Sequence, residues 1–174
     1  FEIGYFSTEN DTEVDSNILN CFVESMKQYG KHHIFCAKIL YHNNPLKIWY
    51  AGGKVNLKLG WISHRGIRKM DSKEYSLPCE TDYVTGCCLF ISWKVMDQLN
   101  GFDEDFKMYA EDVDLCLRAK RRGAKCYYWP GTTLQHHVSA SLGGAFSLRK
   151  LSKKLVGIGR LLIKHNNFLN NELI

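Results

Sequence analysis

Prolines, closely paired cysteines and long apolar runs are all scarce in this sequence. Its 174 residues include only three prolines, and none of the seven cysteines forms a C-x-x-C pair with another. We therefore expect no zinc ribbon and no dithiol redox centre, but reduced and mostly buried thiols, as in a cytoplasmic protein. Because no apolar stretch is long enough to cross a bilayer, we expect no membrane-spanning helix.

The charge is modest in amount and uneven along the chain. The formal net charge is +5, which is too small to indicate nucleic acid, and we expect no such partner. Hydrophobic residues make up 45% and charged residues 24%, as is typical of a folded domain rather than a disordered chain. The basic excess lies largely in the C-terminal part, whereas the centre of the chain is acidic.

Candidate strands and helices alternate along the chain, which predicts an α/β domain with a mixed sheet flanked by helices. Turn residues separate them, and residues 60–77 are irregular enough to form a surface excursion. Asp15 or Ser16 is expected to cap the first helix, while Asn43-Asn44-Pro45 and Pro130-Gly131 are expected to interrupt the chain as turns. The predicted strands are 3–8, 34–41, 83–91, 125–129 and 134–138, and the predicted helices are 18–29, 93–99, 111–122 and 149–164.

Residues 103–114 are the most informative part of the sequence, because six carboxylates there are interleaved with apolar and aromatic side chains. Carboxylates among apolar groups are partly desolvated, which is how a protein makes them useful as bases or ligands. A calcium loop starting at Asp103 would place Asp114 at its twelfth position. Its fifth and sixth positions would then be Lys107 and Met108, which excludes an EF-hand.

The helix predicted at residue 111 begins with three acids, of which Glu111 and Asp114 share a face. Asp114 and Arg118 are four residues apart and are expected to pair on one helix face. Asp112 points elsewhere and is left for chemistry beyond the helix N-terminus. These acids would also suit a purely structural role, since carboxylates are favoured in the first turn of a helix. The acids and aromatics just upstream favour the active-site interpretation.

Three further motifs are weak when taken alone. Asn10-Asp11 follows a strand and is by itself only a polar turn, and His136-His137 at another strand end is by itself a surface or core pair. Together, a carboxylate and an imidazole at strand ends could complete a divalent metal site. Gly86 after Thr85 is either a bulge or a place where a ligand approaches the backbone.

In this order the motifs resemble the family 2 glycosyltransferases of the GT-A fold, and in particular their rhamnosyltransferase-like branch. The resemblance extends from the first residues to about residue 165, and its most specific part is the acidic segment. The motifs that carry it are Asn10-Asp11, Thr85-Gly86, Gly101-Phe102-Asp103-Glu104, Glu111-Asp112-Val113-Asp114, Pro130 and His136.

The resemblance implies a role for each of these positions in an inverting sugar transfer. It implies that Asp112 is the catalytic base and that Asp11 and His136 hold a divalent cation, Mg²⁺ or Mn²⁺, on the donor's diphosphate. Asn10 with Asp11 would bind the donor, a nucleotide-diphosphate sugar. The acceptor, a saccharide or a lipid-linked glycan, would be bound by Thr85, Gly86 and Glu111.

The resemblance also predicts how the chain is divided. Residues 1–147 would be the catalytic and acceptor part of a GT-A domain, without the nucleotide-binding half that family members carry before the metal motif. The chain would then be a piece of a longer protein, or a partner would supply the rest, and exposed sheet edges would favour self-association. The alternative is a non-catalytic binding or scaffolding module derived from this fold.

Residues 148–174 form a basic tail with its own prediction. Between Arg149 and Lys164 there are six Lys or Arg residues and no acid, and leucines recur at three- and four-residue steps. This pattern predicts a basic amphipathic helix. It would be either an ordinary packed surface helix or a helix on an anionic membrane surface, which would make the protein peripheral on the cytoplasmic face.

Overall fold

The computed structural model describes residues 4–106, 109–137 and 148–171. The predicted strand residues Ile3 and Val138, and the predicted domain boundary at residue 147, lie outside these ranges. The strands are β1 (Gly4–Thr8), β2 (Thr12–Val14), β3 (Ile34–Tyr41), β4 (Asn44–Tyr50), β5 (Gly53–Asn56), β6 (Trp61–His64), β7 (Cys79–Thr81), β8 (Cys88–Ser92) and β9 (Cys126–His136). The helices are α1 (Ile18–Tyr29), α2 (Trp93–Gln98), α3 (Glu111–Arg121) and α4 (Leu148–Asn171), with a 3₁₀ turn at Lys73–Tyr75.

Seven strands form one mixed sheet, and β3 lies at its centre. The strand order is β1-β8-β3-β9-β2, with β4 also paired to β3 and β7 also paired to β9. The β3–β9 pair is parallel, whereas β8 and β4 run antiparallel to β3. Because β3 and β9 run the same way, their carboxyl ends meet at one edge. The predicted α/β class with a mixed sheet is confirmed.

The core forms around β3, which is apolar except for Lys38, a buried lysine paired with Asp71, and the terminal Tyr41. All of its residues except Tyr41 are buried, a pattern typical of a strand covered on both sides. On one side α1 contributes Phe22, which is fully buried and stacks on Phe90 of β8 with ring centroids 4.9 Å apart. The seven cysteines are free thiols, and five of them are buried in this core.

Two predicted boundaries of α1 and β4 were wrong. Asp15 does not cap α1, whose N-cap is Asn17; instead Asp15 accepts a hydrogen bond from the Asn17 backbone N–H at 2.7 Å in a local turn. Asn44 and Pro45 do not form a turn but begin β4. Proline is tolerated there because it lies at the start of the strand, where its missing N–H disrupts little pairing.

Pro130-Gly131 does not end a strand, contrary to the prediction. A single strand, β9, runs through both residues from Cys126 to His136. Ala37 of β3 pairs with Trp129, but the next residue, Lys38, pairs with Thr133, so three residues of β9 bulge out of the ladder. A bulge is one of the few places in a sheet where proline is tolerated.

The predicted strand 83–91 is shorter than expected, because only Cys88–Ser92 forms β8. The preceding residues make hydrogen bonds to side chains instead of to a neighbouring strand. The Tyr83 carbonyl accepts the Tyr50 hydroxyl at 2.6 Å, and the Val84 N–H donates to Cys116 Sγ at 3.3 Å. Tyr83–Cys87 is therefore a buried loop, and this places Thr85 and Gly86 before the sheet edge rather than within it.

Residues 60–77, expected to be irregular, begin with ordered structure. Trp61–His64 forms β6, which pairs antiparallel with β5 in a separate two-stranded hairpin. The hairpin is attached to the core, since the Val55 N–H donates to Asp82 Oδ2 at 3.0 Å. A Cβ on Gly60 at the hairpin turn would lie 3.4 Å from Leu162 and 3.5 Å from Ile158, so the hairpin also touches α4.

Helix α4 packs against the body of the protein along one side only. Gly157, Leu161 and His165 are buried, whereas Leu151 and Leu155 are more than half exposed. Within the described residues, neither α4 nor any other helix is long and apolar enough to cross a bilayer. The predicted tail helix is present, and it has both a packed side and an exposed apolar side.

Candidate active site

The loop between β1 and β2 brings the predicted metal ligands together. Thr8 of β1 pairs with Cys88 of β8, and Thr12 of β2 pairs with His136 of β9. The three residues Glu9–Asp11 therefore cross from the start of β8 to the end of β9. His136 Nε2 lies 3.3 Å from Asp11 Oδ1 and 3.7 Å from Glu9 Oε2. Asn10, between the two acids, is exposed.

An aromatic ring packs against one side of His136. The ring of Trp49 stands edge-on to it, with centroids 4.5 Å apart, and contacts His64 in the same way. Burial lowers the pKa of His64 to about 4, so this imidazole is neutral at physiological pH. His136 thus has the uncharged side chains of Trp49 and His64 on one side and the carboxylates of Asp11 and Glu9 on the other.

Glu9 and Cys87 were not predicted as ligands. One ligand atom from each of Glu9, Cys87 and His136 lies within 4.8 Å of the other two. Burial, and next the Glu9 carboxylate, raise the pKa of the Cys87 thiol well above its usual range, so it remains protonated. Glu9 could have been recognised from the sequence, because it lies two residues before Asp11 in the segment Glu9-Asn10-Asp11. The proximity of Cys87 depends on the pairing of Thr8 with Cys88, which no sequence pattern specifies.

The donor atoms of this cluster suit a hard or borderline divalent cation. Carboxylate oxygens are the ligands that Mg²⁺ and Mn²⁺ prefer, and an imidazole is a further accepted donor. His136 Nδ1 is buried and has no hydrogen-bond partner among the described residues, while its Nε2 faces Asp11 and Glu9. The side chains of Asp11, Glu9 and His136 therefore fit a divalent cation.

Asp112 lies at the start of α3, against the loop that contains Gly86. Its Oδ2 accepts a hydrogen bond from the Gly86 N–H at 3.0 Å, and its Oδ1 accepts one from the Val113 N–H at 2.8 Å. Burial, with a smaller contribution from the neighbouring Glu111 carboxylate, raises the pKa of Asp112 to about 6. A carboxylate with this pKa is ionised at neutral pH and accepts a proton more readily than an ordinary aspartate.

Of the predicted acceptor residues, Gly86 contacts Asp112 directly, whereas the side chains of Thr85 and Glu111 accept hydrogen bonds from other residues. A Cβ on Gly86 would lie 3.9 Å from the Asp112 Cβ, which is an ordinary contact. A larger residue would therefore not clash with Asp112, and the effect of the glycine is to leave the space beside Asp112 open. The Thr85 side chain is buried, and its hydroxyl accepts a hydrogen bond from the Cys87 N–H at 3.4 Å. Glu111 Oε2 accepts from the Tyr109 N–H at 2.7 Å.

Backbone strain is concentrated immediately before Asp112. Tyr109 has φ +100° and Ala110 has φ +71°, so two successive residues with side chains occupy the left-handed region. Such conformations cost about 1–3 kcal/mol each and persist only where the surroundings enforce them. Glu111 holds the Tyr109 N–H, and α4 covers this turn from outside, since a Cβ on Gly157 would lie 2.5 Å from the Tyr109 carbonyl oxygen.

Asp114 is buried and has a structural role, as its spacing of four residues from Arg118 predicted. Its Oδ2 pairs with Arg118 Nε at 2.7 Å, which confirms the predicted pair. Its Oδ1 lies 2.8 Å from both Lys164 Nζ and His165 Nε2 of α4. Burial alone would raise the pKa of Asp114, but the hydrogen bonds from His165, Lys164 and Arg118 hold it well below its usual range. Asp114 therefore joins α3 to α4.

Arg118 extends this network towards α2. Its Nη1 donates to the Leu99 carbonyl at 2.6 Å and its Nη2 donates to the Gly101 carbonyl at 2.9 Å. The guanidinium thus fixes the loop that leads from α2 into the acidic segment. The first turn of α3 is held from three directions, by the α2 loop, by α4 and by the Gly86 loop.

The fold is an α/β domain with acidic and imidazole side chains gathered at one edge of its sheet, and comparisons with known proteins identify the family. The crystal structure of GalNAc-T7 with UDP, GalNAc and Mn²⁺ superposes with a TM-score of 0.65 at 12% identity, covering 92% of this chain and 31% of that one. This likeness confirms the GT-A fold. The model of glycosyl transferase family group 2 matches residues 9–171. The chain belongs to that family.

Curated relatives confirm the similarity to the rhamnosyltransferase branch. Rhamnosyltransferase WbbL of Escherichia coli (strain K12) is 32% identical over 74 residues, covering 41% of this chain and 28% of the relative. An N-acetylglucosaminyl-diphospho-decaprenol L-rhamnosyltransferase of Mycobacterium tuberculosis is 38% identical over 61 residues, covering 35% of this chain and 20% of the relative. The alignments with these relatives span less than a third of their lengths.

Proposed function

We propose that this chain provides the catalytic base and the metal ligands for inverting transfer of a sugar from a nucleotide-diphosphate sugar to a saccharide or lipid-linked acceptor. The observation that carries the proposal is the position of Asp112, a carboxylate with a raised pKa held by the Gly86 N–H. Base and metal ligands are joined by one loop, since Gly86 is followed directly by Cys87 of the metal-ligand cluster. Family membership supports the same general activity.

In the proposed reaction, Asp112 takes the proton from the acceptor hydroxyl as that oxygen attacks the anomeric carbon. Two backbone N–H groups hold its carboxylate, so it needs no reorganisation when the hydroxyl arrives. General base catalysis of this kind contributes about 10²–10⁴-fold in rate. Attack from the face opposite the leaving group inverts the configuration of the anomeric carbon.

Asp11 and His136, with Glu9 beside them, would hold the divalent cation, Mg²⁺ or Mn²⁺. When bound, the cation neutralises the negative charge that grows on the departing nucleoside diphosphate. The GalNAc-T7 structure was determined with UDP and Mn²⁺, which supports a nucleotide-bound cation for this fold. Exposed Asn10 lies between the two acids, at a position open to the donor.

The acceptor is proposed to lie over Gly86, beside Asp112 and Glu111. The mycobacterial relative is named for a diphospho-decaprenol acceptor, which supports a lipid-linked glycan. Helix α4 supports a position on the cytoplasmic face of a membrane, because Leu151 and Leu155 are exposed beside exposed Lys153 and Lys154. An apolar stripe flanked by lysines is typical of a helix that lies in an anionic interface.

The test is a transfer assay with nucleotide sugars, with and without Mn²⁺. We expect transfer to require the cation, and Asp11→Asn to lower the rate at a given Mn²⁺ concentration at least tenfold. The matched control is Asp15→Asn, because Asp15 is exposed and lies four residues away, outside the cluster. Absence of both metal and nucleotide binding by calorimetry would contradict the proposal and favour a non-catalytic module of the same fold.

A further inference from the structure

A second cluster of metal-ligating side chains lies beside the first, at the same edge of the sheet. Glu13 comes from β2, His42 from the turn between β3 and β4, and His137 from the end of β9. One ligand atom of each lies within 4.8 Å of the other two. No role in sugar transfer uses these residues, and they come from three separate segments of the chain, so their meeting is a product of the fold.

In this cluster, both imidazole rings face the same carboxylate oxygen of Glu13. Glu13 Oε1 is 2.8 Å from His137 Nε2 and 3.5 Å from His42 Nδ1. The two imidazole rings stack with centroids 3.5 Å apart, and one nitrogen of each faces the Glu13 carboxylate. His42 Nδ1 is shielded from solvent and makes no hydrogen bond within the described part of the chain.

We propose that Glu13, His42 and His137 form a second divalent metal site that takes a borderline ion such as Zn²⁺. Two imidazoles and one carboxylate are a common three-residue zinc set, with a fourth position left for water or another ligand. Zinc requires ion–ligand distances of about 2.0–2.2 Å, and these partly exposed side chains would rotate to reach them.

An ion at this site would also stabilise the predicted cation site of the transferase. The His137 N–H donates to the Asp11 carbonyl at 2.8 Å, and the His42 N–H donates to the His136 carbonyl at 3.0 Å. A metal held by Glu13, His42 and His137 would therefore join β2, the β3–β4 turn and the end of β9 around Asp11 and His136. This inference does not depend on the proposed sugar transfer, because the ligand set is separate.

The test uses Co²⁺ as a visible probe of the chain after treatment with a chelator. We expect Co²⁺ to bind with the absorption bands of nitrogen and oxygen ligands and without a sulfur charge-transfer band, and Zn²⁺ to displace it. His42→Ala and His137→Ala should each weaken binding at least tenfold. Glu13→Gln is the milder variant, since the Glu13 side chain is 60% exposed and the change leaves its size unaltered.

Matched variants decide where the ion is bound. His32→Ala removes an exposed histidine outside the cluster, and Asp11→Asn alters only the neighbouring site, so both should retain Co²⁺. The proposal is overturned if His42→Ala and His137→Ala bind Co²⁺ as tightly as the unmodified chain. It is also overturned if His136→Ala abolishes binding while those two variants keep it, because the ion would then belong to the Asp11 site.

Discussion

Asp112 and Asp114 are two residues apart on one helix, and their surroundings give them opposite properties. Asp112 receives two backbone N–H groups, and burial together with the Glu111 carboxylate raises its pKa to about 6. Asp114 is surrounded by Arg118, Lys164 and His165, which keep its pKa low. The first carboxylate is suited to accept a proton, and the second is suited to hold two helices together.

The raised pKa of Asp112 predicts a pH-dependent cost in stability. In the unfolded chain its pKa is about 3.9, so the folded state binds the proton more tightly. The favourable contribution of the protonated group is complete below about pH 4 and is lost as the pH rises through about 6. Asp112→Asn removes this loss. The quantity to compare is the free energy of unfolding of Asp112→Asn minus that of the unmodified protein. We expect this difference to be about 1–2 kcal/mol larger at pH 8 than at pH 4.5.

Urea unfolding at the two pH values measures this difference. Any hydrogen bond that asparagine makes less well than aspartate lowers stability at both pH values, so the comparison between them isolates the titration. Asp105→Asn is the control, because Asp105 is an exposed aspartate outside the site. If the difference in free energy of unfolding between Asp112→Asn and the unmodified protein were the same at pH 4.5 and pH 8, the raised pKa of Asp112 would be contradicted.

Sequence spacing was sufficient for some residues and insufficient for others. The pair Asp114–Arg118 could be predicted because a helix places residues four apart on one face. The hydrogen bond from Gly86 to Asp112 could not, since the two are separated by 26 residues and the loop between β7 and β8 sets their positions. Cys87 was missed for the same reason, because its neighbour Glu9 lies on another strand end.

At the scale of elements, α4 is the support for the strained turn before α3. Gly157 lies against the Tyr109 carbonyl, where a methyl group would approach to 2.5 Å. We expect Gly157→Ala to force α4 away and to lower the free energy of unfolding by about 1–3 kcal/mol. Displacement of α4 also loosens its contacts with Asp114, so the rate of sugar transfer should fall as well.

Gly159→Ala is a matched control for this substitution. A Cβ at Gly159 would meet nothing within 4 Å, and alanine is the better helix former, so stability should rise by up to about 1 kcal/mol. Both variants can be measured by urea unfolding under the same conditions. If Gly157→Ala stabilised the protein as much as Gly159→Ala, then α4 would not be packed on the Tyr109 turn.

The elements that were mispredicted share one physical cause. Pro130-Gly131 and Asn44-Pro45 are strong turn signals locally, yet both lie in strands because β3 offers pairing along its whole length. Tyr83–Cys87 has high β propensity, yet it forms a loop because side chains of Tyr50 and Cys116 satisfy its backbone. In each case, tertiary partners decided the outcome against local propensity.

At the scale of the whole molecule, the class of fold follows from the alternation of elements but the strand order does not. Buried β3 could be recognised as central from its apolar run, since such strands are covered on both faces. Nothing in the sequence indicates that β9 pairs parallel with β3 while β8 pairs antiparallel. That arrangement brings Asp11, His136 and Cys87 to one edge. The positions of Asp11 and His136 at strand ends suggested a metal pair and the family resemblance gave it a role, but neither indicated Cys87.

The distribution of residues on α4 predicts binding to anionic membranes. Leu151 is 54% and Leu155 60% exposed on one helix face, near exposed lysines. We expect the protein to co-sediment with vesicles that contain phosphatidylserine, and to bind less at high salt. The double variant Leu151→Ser and Leu155→Ser should weaken binding at least tenfold, because each leucine contributes about 1.5–3 kcal/mol when buried.

Leu77→Ser is the control for this measurement, because Leu77 is 71% exposed but lies in the loop between the 3₁₀ turn and β7. It should bind vesicles as the unmodified protein does. Equal binding by the α4 double variant, or binding to neutral vesicles as strong as to anionic ones, would contradict a membrane role for α4. The helix would then be a packed surface helix only.

The most direct test of the central claim is the rate of sugar transfer in Asp112→Asn. Asparagine keeps the size of the side chain but cannot take the proton, so we expect kcat to fall by about 10²–10⁴-fold. Donor binding, measured by calorimetry with Mn²⁺, should change little. Asp105→Asn, the exposed control, should keep full activity. Retained turnover in Asp112→Asn would contradict the assignment of Asp112 as the base.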